Sequence, residues 1–426
     1  MTDIARRGVV VAGGGPAGLA AAIAAKEAGC GDVVIVERDA LLGGILNQCI
    51  HDGFGLYRFK EALSGPEYAA RFIDRIAGFG IDVELGTIVL DISPEGRLLL
   101  SARGEMREVD AGAVVLATGC RERPRGAVSI PGHRPSGVYT AGAAQRFVNI
   151  ENIMPGRSVV ILGSGDIGLI MARRMTLEGA RVEAVIELMP YSSGLPRNIQ
   201  QCLVDYGIPL CLSAAVVETV GMGRLEGVRV ADVGADLTPI PGTERFIPCD
   251  TLLLSVGLIP ENELARAAGA EMNPLTGGPM VDDRCMTSVP GIFSCGNALH
   301  VHDIVDWVSE EAERAGRFAA LYAAGEDPGG GPRDGVRLVP GRGVRYVAPS
   351  RMKCGAGRDD SGVLLAFRVL EPSRNGVIEV GANGTVILEE RRSRLHPAEM
   401  IRIALSSADV ARVRGLGAGV LEVRVR

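Results

Sequence analysis

Short, wholly apolar runs alternate with Ala-rich or mixed stretches through the first three quarters of the chain. Gly8-Val9-Val10-Val11-Ala12 has no polar position. A β-branched run of this kind predicts a strand covered on both faces, as in a parallel sheet. Gly13-Gly14-Gly15 breaks it, and the Ala-rich run from Pro16 to Ala28 predicts a helix, which Gly29 stops. Val33 to Val36 predicts the return strand. The same order recurs further on: an apolar strand over 158–162, a helix over 166–178 and a strand over 182–186. Sheet segments are expected at 82–90 and 97–100, with apolar strands running into turns at 113–119 and 251–257. A helical pattern covers 304–324.

The glycines between strand and helix carry the first chemical signal. Gly13, Gly15 and Gly18 are followed by Glu37, nineteen residues beyond the last glycine. Gly163, Gly165 and Gly168 are followed by Glu187 at the same distance. In such a loop the first glycine allows a tight turn, the second lets backbone approach a pyrophosphate, and the third lets helix and strand pack closely. The pyrophosphate meets the N–H groups and positive end of the helix, and the acid accepts hydrogen bonds from ribose hydroxyls. Two matched copies in strand–glycine–helix–strand–acid register predict two bound dinucleotides and electron transfer between them. Glu187 favours a free ribose 2′-OH, and no Arg or Lys intervenes before Arg197 to receive a 2′-phosphate. The second nucleotide is therefore expected to be NAD(H).

Composition adds limits. A chain of 426 residues predicts two to three domains. A net charge of −6 offers no basic face for nucleic acid. No apolar stretch reaches the ~18 residues of a transmembrane segment, and no signal peptide is visible before the first strand. The nine cysteines form no Cys-x-x-Cys pair, no zinc spacing and no iron–sulfur ligand run. Scattered thiols suit a reducing cytosol, so a cytoplasmic location and no bound metal are expected. A Gly/Pro-rich stretch, Glu326-Asp327-Pro328-Gly329-Gly330-Gly331-Pro332, predicts a linker over 326–345. Strand-like runs at 363–369, 376–380 and 385–388 follow, with Asn383-Gly384 as a hairpin turn. They predict a small α+β or β-rich module over 346–426.

These residues carry a resemblance. Over about residues 8 to 325 the chain resembles the two-dinucleotide-binding flavoprotein oxidoreductases, the superfamily of thioredoxin and glutathione reductases. The carriers are Gly13-Gly14-Gly15-Pro16-Ala17-Gly18, Ala117-Thr118-Gly119, the 163–168 loop, Ser255-Val256-Gly257 and the block from Thr287 to Asn297. The resemblance implies an α/β fold of two Rossmann-like domains. The FAD domain would be discontinuous (1–125 and 257–325), with the NAD domain (140–250) inserted in it. FAD would be held by Gly13, Gly15, Pro16, Ala17, Gly18, Glu37, Gly44, Asn47, Thr118, Gly119, Gly296 and Asn297. NAD(H) would be held by Gly163, Gly165, Asp166, Ile167, Gly168 and Glu187, and Gly257 is a further cofactor-binding candidate. The family's usual Asp is replaced by Asn297, which keeps hydrogen-bonding capacity and alters the tuning of the flavin.

The stretch from Gly43 to Gly55 is similar, more narrowly, to flavoprotein subunits that accompany glycerol-3-phosphate-dehydrogenase-like proteins. Subunits of opine oxidase, hydrogen cyanide synthase and dye-linked proline dehydrogenase are similar in kind. That likeness implies an oligomeric complex with two kinds of partner, a second flavoprotein dehydrogenase subunit plus a small Cys-rich or iron–sulfur subunit. Only Cys354 lies in the C-terminal region, so any cluster would sit in a partner. A disulfide reductase would carry a Cys-x4-Cys or Cys-x-x-Cys pair, and this chain has Cys49 alone after Gly43-Gly44. Catalytic candidates are Cys49, with buried packing as its plainer role, and His300 and His302, with local hydrogen bonding as theirs. Three readings stand: an FAD- and NAD-dependent subunit of a dehydrogenase complex, a stand-alone NADH oxidase or acceptor reductase, and a sensing or assembly subunit whose flavin never turns over.

Overall fold

The computed structural model describes residues 4–326, 334–353 and 362–426. These form two compact units. One contains the chain up to Cys120 and from Pro260 onward, and the other is Arg121–Ile259.

The apolar runs of the first unit become the centre of a seven-stranded sheet. Its order is Asp82–Glu84, Val33–Val36, Ala5–Ala12, Glu105–Leu116, Arg97–Ala102 and Thr87–Ile92, with Ile292–Ser294 also pairing with Glu105–Leu116. Ala5–Ala12 runs parallel to both neighbours, and Val9, Val10 and Val11 are fully buried, as an all-apolar strand requires. Glu105–Leu116 begins eight residues before the apolar segment that announced it. Its first half is polar and pairs antiparallel with Arg97–Ala102, next to the edge strand Thr87–Ile92.

The helix Pro16–Glu27 is buried nearly all round. It packs on the sheet beside the long helix Val305–Ala323, which also contacts the sheet directly. The two helices approach closely because small residues line both: Ala20 and Ala21 share a core with Ala312 and Ala315, and Gly316 sits on the Ala21 backbone. A Cβ on Gly316 would fall on the Ala21 carbonyl oxygen.

The second unit repeats the plan. Its parallel sheet has the order Val138–Thr140, Thr251–Leu254, Ser158–Leu162, Arg181–Ile186 and Leu210–Cys211. A three-stranded antiparallel sheet (Ala214–Val220, Gly227–Asp232, Arg245–Pro248) completes it.

The C-terminal region is β-rich. A five-stranded sheet (Arg351–Met352, Val336–Pro340, Val420–Val425, Ser373–Ala382, Thr385–Leu395) and a three-stranded sheet (Val344–Ala348, Val363–Val369, Ile401–Leu405) enclose one apolar core. Helix Ser407–Gly415 is fastened by a Ser406–Asp409 capping box. The expected hairpin forms, with Asn383 at φ +50° and Gly384 at φ +78°, the left-handed pair that an Asn-Gly turn supplies.

The expected linker over 326–345 is corrected. Residues 327–333, its Gly/Pro centre, lie outside the described residues, as does Cys354. From Val336 the chain is already strand, because Val336 and Leu338 alternate into the module core while Arg337 points out.

Candidate functional site

The first glycine loop is built by three different demands on its glycines. Gly13 has φ +111°, and a Cβ there would meet the Ala117 carbonyl oxygen at 2.5 Å. A Cβ on Gly18 would fall on the Gly13 carbonyl oxygen, so helix and loop touch backbone to backbone. Gly15 differs: a Cβ there would meet nothing nearer than Gly44 Cα at 3.9 Å. The open space is therefore over Gly15, where the helix begins with Pro16 at its first turn and no side-chain cap. Such an uncapped helix start beside bare backbone fits a pyrophosphate.

Glu37 is buried and ties the loop. Its Oε2 accepts from Gly14 N at 2.6 Å, and its Oε1 accepts from Asp39 N at 2.8 Å. Gly44 packs on Gly15, and Asn47 donates from Nδ2 to the Leu42 carbonyl at 3.0 Å. Asn47 thus holds the Gly43–Gly44 turn in place.

The second loop has the same design. Gly163 has φ +99°, a Cβ on Gly168 would lie 2.5 Å from the Gly163 carbonyl oxygen, and Gly165 is open to 3.7 Å. Glu187 is buried, accepting from Ser164 N at 2.9 Å, from Ser164 Oγ and, on its other oxygen, from Met189 N at 3.0 Å. Asp166 accepts from Leu195 N at 2.8 Å and from Asn198 Nδ2 at 2.6 Å, which fastens the segment after the return strand. Ile167 packs on the unit's core. Gly257, at φ +101°, accepts from Arg123 N at 3.0 Å.

The block from Thr287 to Asn297 brings Gly296 against the first helix, where its Cβ would meet Ala17 Cβ at 2.9 Å. Asn297 Oδ1 accepts from His302 N at 3.0 Å, and its Nδ2 reaches Cys120 Sγ at 3.5 Å. Thr118 Oγ1 donates to the Glu261 carbonyl at 2.7 Å, and Glu261 N donates to the Gly119 carbonyl at 3.0 Å. Gly296 thus touches Ala17, and Gly44 lies against Gly15 two residues before it.

Cys49 does not have the environment of a reactive thiol. Its Sγ donates to the Ile45 carbonyl at 3.3 Å, and burial pushes its pKa up to about 12. Only the thiolate is nucleophilic. A rise of about three units lowers its thiolate fraction near neutrality roughly a thousandfold. Iodoacetamide at pH 8 is expected to label Cys49 about a thousandfold more slowly than a free peptide thiol; peptide mapping by mass spectrometry measures this. Labelling at the peptide rate would refute the assignment.

His300 and His302 are both buried, with ring centroids 4.3 Å apart. They converge on Glu311 of the long helix, a residue the sequence did not single out. His300 Nε2 lies 2.8 Å and His302 Nε2 3.5 Å from Glu311 Oε2. Burial lowers the His300 pKa. Burial alone would raise that of Glu311, and the imidazoles of His302 and His300 overcome it, so the carboxylate stays ionised. The only hint in the sequence was a Glu beside the small, core-facing residues of an amphipathic helix. Tyr346, 3.4 Å from His300 Nδ1, left no local signal at all.

Residues 7–319 match the model of the pyridine nucleotide-disulphide oxidoreductase family. The chain belongs to this family. An opine oxidase subunit of Rhizobium meliloti is 28% identical over 74% of this chain and 62% of its own length. The hydrogen cyanide synthase subunit HcnB of Pseudomonas protegens is 29% identical over 73% of this chain and 69% of its own. Thioredoxin reductase of T. acidophilum has the same fold, with a TM-score of 0.61 at 24% identity over 75% of this chain and 99% of that one. As a member of the pyridine nucleotide-disulphide oxidoreductases, the protein is an FAD- and NAD(P)-dependent oxidoreductase. The two open glycine cradles, each over an uncapped helix start, fit these groups. Among the described residues, no helix is long and apolar enough to cross a membrane.

Proposed function

We propose that this chain is the NAD(H)-linked flavoprotein subunit of a multi-subunit dehydrogenase that works without a dithiol relay. The observation that carries this reading is the lone, protonated Cys49. The positions five residues to either side of it are Gly44 and Phe54, so no second thiol stands at Cys-x4-Cys spacing. Two of the relatives are named as subunits, one of opine oxidase and one of hydrogen cyanide synthase, which supports a partner for this chain. The candidate partners are a second dehydrogenase subunit plus a small Cys-rich or iron–sulfur subunit. Among the described residues, the one group of three or more converging ligand side chains contains no cysteine.

When bound, FAD and NAD(H) supply the redox chemistry, a hydride exchange that demands no acid or base from the protein. The chain's own residues bind and orient. The Gly15 and Gly165 cradles hold pyrophosphates on helix N-termini. Glu37 and Glu187 brace the loops and offer their remaining lone pairs to ribose hydroxyls. The Glu187 carboxylate repels a 2′-phosphate, which selects NAD(H) over NADP(H).

The test is anaerobic reduction of the flavin absorbance, followed in wild type and Cys49→Ser, with co-purification from the native cell. NADH is expected to reduce both proteins at similar rates, and NADPH at least about tenfold more slowly, a difference of 1.4 kcal/mol. Further subunits are expected to co-elute. A flavin untouched by either nucleotide, or loss of reduction in Cys49→Ser alone, would sink the proposal. A solitary chain that rapidly consumes oxygen would point instead to an independent oxidase.

A further inference from the structure

We infer that His300, His302 and Glu311 form a binding site for a divalent transition-metal ion, with zinc as its natural occupant. Among the described residues this is the one place where three ligand side chains converge, their donor atoms lying within 4.8 Å of one another. Zinc bonds to imidazole nitrogen and carboxylate oxygen at about 2.0–2.2 Å, which in tetrahedral geometry sets ligand atoms roughly 3.3 Å apart. The observed separations from Glu311 Oε2, 2.8 Å to His300 Nε2 and 3.5 Å to His302 Nε2, bracket that spacing.

The surrounding hydrogen bonds orient each ligand. His302 Nδ1 lies 2.9 Å from the His300 carbonyl oxygen and must donate to it. In a neutral imidazole so oriented, Nε2 is the nitrogen available to a metal. It faces a carboxylate oxygen inside a buried site. An imidazole nitrogen and a carboxylate oxygen directed at one point are the donor pair that a divalent ion joins. Tyr346 OH stands at 3.4 Å from His300 Nδ1, and Gly296 N donates to Glu311 Oε1 at 2.7 Å. Each ligand thus has an outer partner on its far atom, the usual support of a metal site.

Two imidazoles and one carboxylate suit zinc, cobalt(II) or iron(II); calcium and magnesium prefer all-oxygen shells. A cavity of about 30 Å³ adjoins His302 and Glu311, with Asp282, Cys285, Arg314 and Trp307 on its wall. It is large enough for a water molecule as a further, exchangeable ligand. The ligands sit between the Gly296–Asn297 turn and Tyr346 of the C-terminal module. All three ligands belong to the dinucleotide-binding fold, and the module adds only Tyr346 behind His300, so the site stands independently of the electron-transfer reading above.

The experiment uses the full chain, stripped with chelator, shown to be folded by circular dichroism, and titrated with zinc and with cobalt(II). One ion per chain is expected, with cobalt giving the visible d–d bands of a nitrogen- and oxygen-ligated site and zinc raising the melting temperature. Glu311→Gln keeps an acceptor for Gly296 N, so it preserves the turn while removing the anionic ligand. His302→Ala removes an imidazole. Both are expected to lose more than the about 10–100-fold that outer-shell changes cost, and Tyr346→Phe is expected to fall within that range. Failure of the folded wild type to bind either ion, or wild-type affinity in Glu311→Gln and His302→Ala, would overturn the site.

Discussion

Gly15→Val is expected to yield a folded protein without flavin, whereas Gly18→Ala is expected to damage the fold itself. The contrast follows from what each added Cβ meets. At Gly15 the backbone is extended (φ −78°, ψ −173°), a conformation valine adopts freely, and the nearest atom is 3.9 Å away. The added methyl groups occupy only the open space over the helix start. Without ligand the variant loses little stability; with ligand it must displace the pyrophosphate from the N–H groups that hold it. A weakening of roughly a hundredfold or more is expected, about 2.7 kcal/mol. At Gly18 even one methyl falls on the Gly13 carbonyl oxygen, with Val11 Cγ1 a further 3.3 Å neighbour. Neither backbone has room to give, and a cost of about 3 kcal/mol or more is expected in the apoprotein. Flavin content by absorbance and apoprotein unfolding by denaturant measure the two effects separately. Gly15→Val purified with full flavin would remove the physical basis for the first cradle, and an unperturbed Gly18→Ala apoprotein would contradict the helix–loop contact.

What was legible in the chain was whatever depended on nearby residues. Gly13, Gly15 and Gly18 act within one turn, and the all-apolar strands beside them leave no choice of face. The loops, the return strands and the Asn383-Gly384 hairpin could therefore be read directly. The roles of the acids were read in part. Spacing placed Glu37 and Glu187 at the loops, yet gave no sign that each carboxylate is already engaged by the loop it serves. Non-local contacts were opaque. Glu311 reaches His300 only because the helix Val305–Ala323 folds back beneath the Gly296–Asn297 turn, and Tyr346 comes from beyond the undescribed segment 327–333. The extent of the C-terminal module was misjudged for a related reason. Gly and Pro mark a break in the chain, and the alternation that restarts at Val336 is too short to outweigh them by pattern alone.

The C-terminal module offers the second large effect, in Asp303→Ala. Asp303 lies between the histidine pair and the long helix, and its carboxylate is paired with Arg368 of the module strand Val363–Val369. Both side chains are mostly buried, at 13% and 14% exposure. Arg368 also donates to the Val301 carbonyl at 3.1 Å and to the Ala398 carbonyl, while Met400 N donates to the second Asp303 oxygen. Burial pulls the Arg368 pKa down, and Asp303 with Tyr346 more than restores it, so the guanidinium stays charged. Alanine at 303 leaves a buried cation without a counter-charge and a backbone N–H without an acceptor. Breaking a buried pair in this way costs about 3–5 kcal/mol. Arg368→Met combined with Asp303→Ala removes both charges and is expected to recover much of that loss, because a buried pair contributes little over a packed apolar replacement. Denaturant unfolding gives the cycle, and hydrogen exchange in Val363–Val369 and Ile401–Leu405 locates it. A single variant costing under about 1 kcal/mol, the range of exposed pairs, would show that the module is not held by this contact. A double variant as damaged as the single would place the cost in lost packing, since only the charge term is relieved when both partners go.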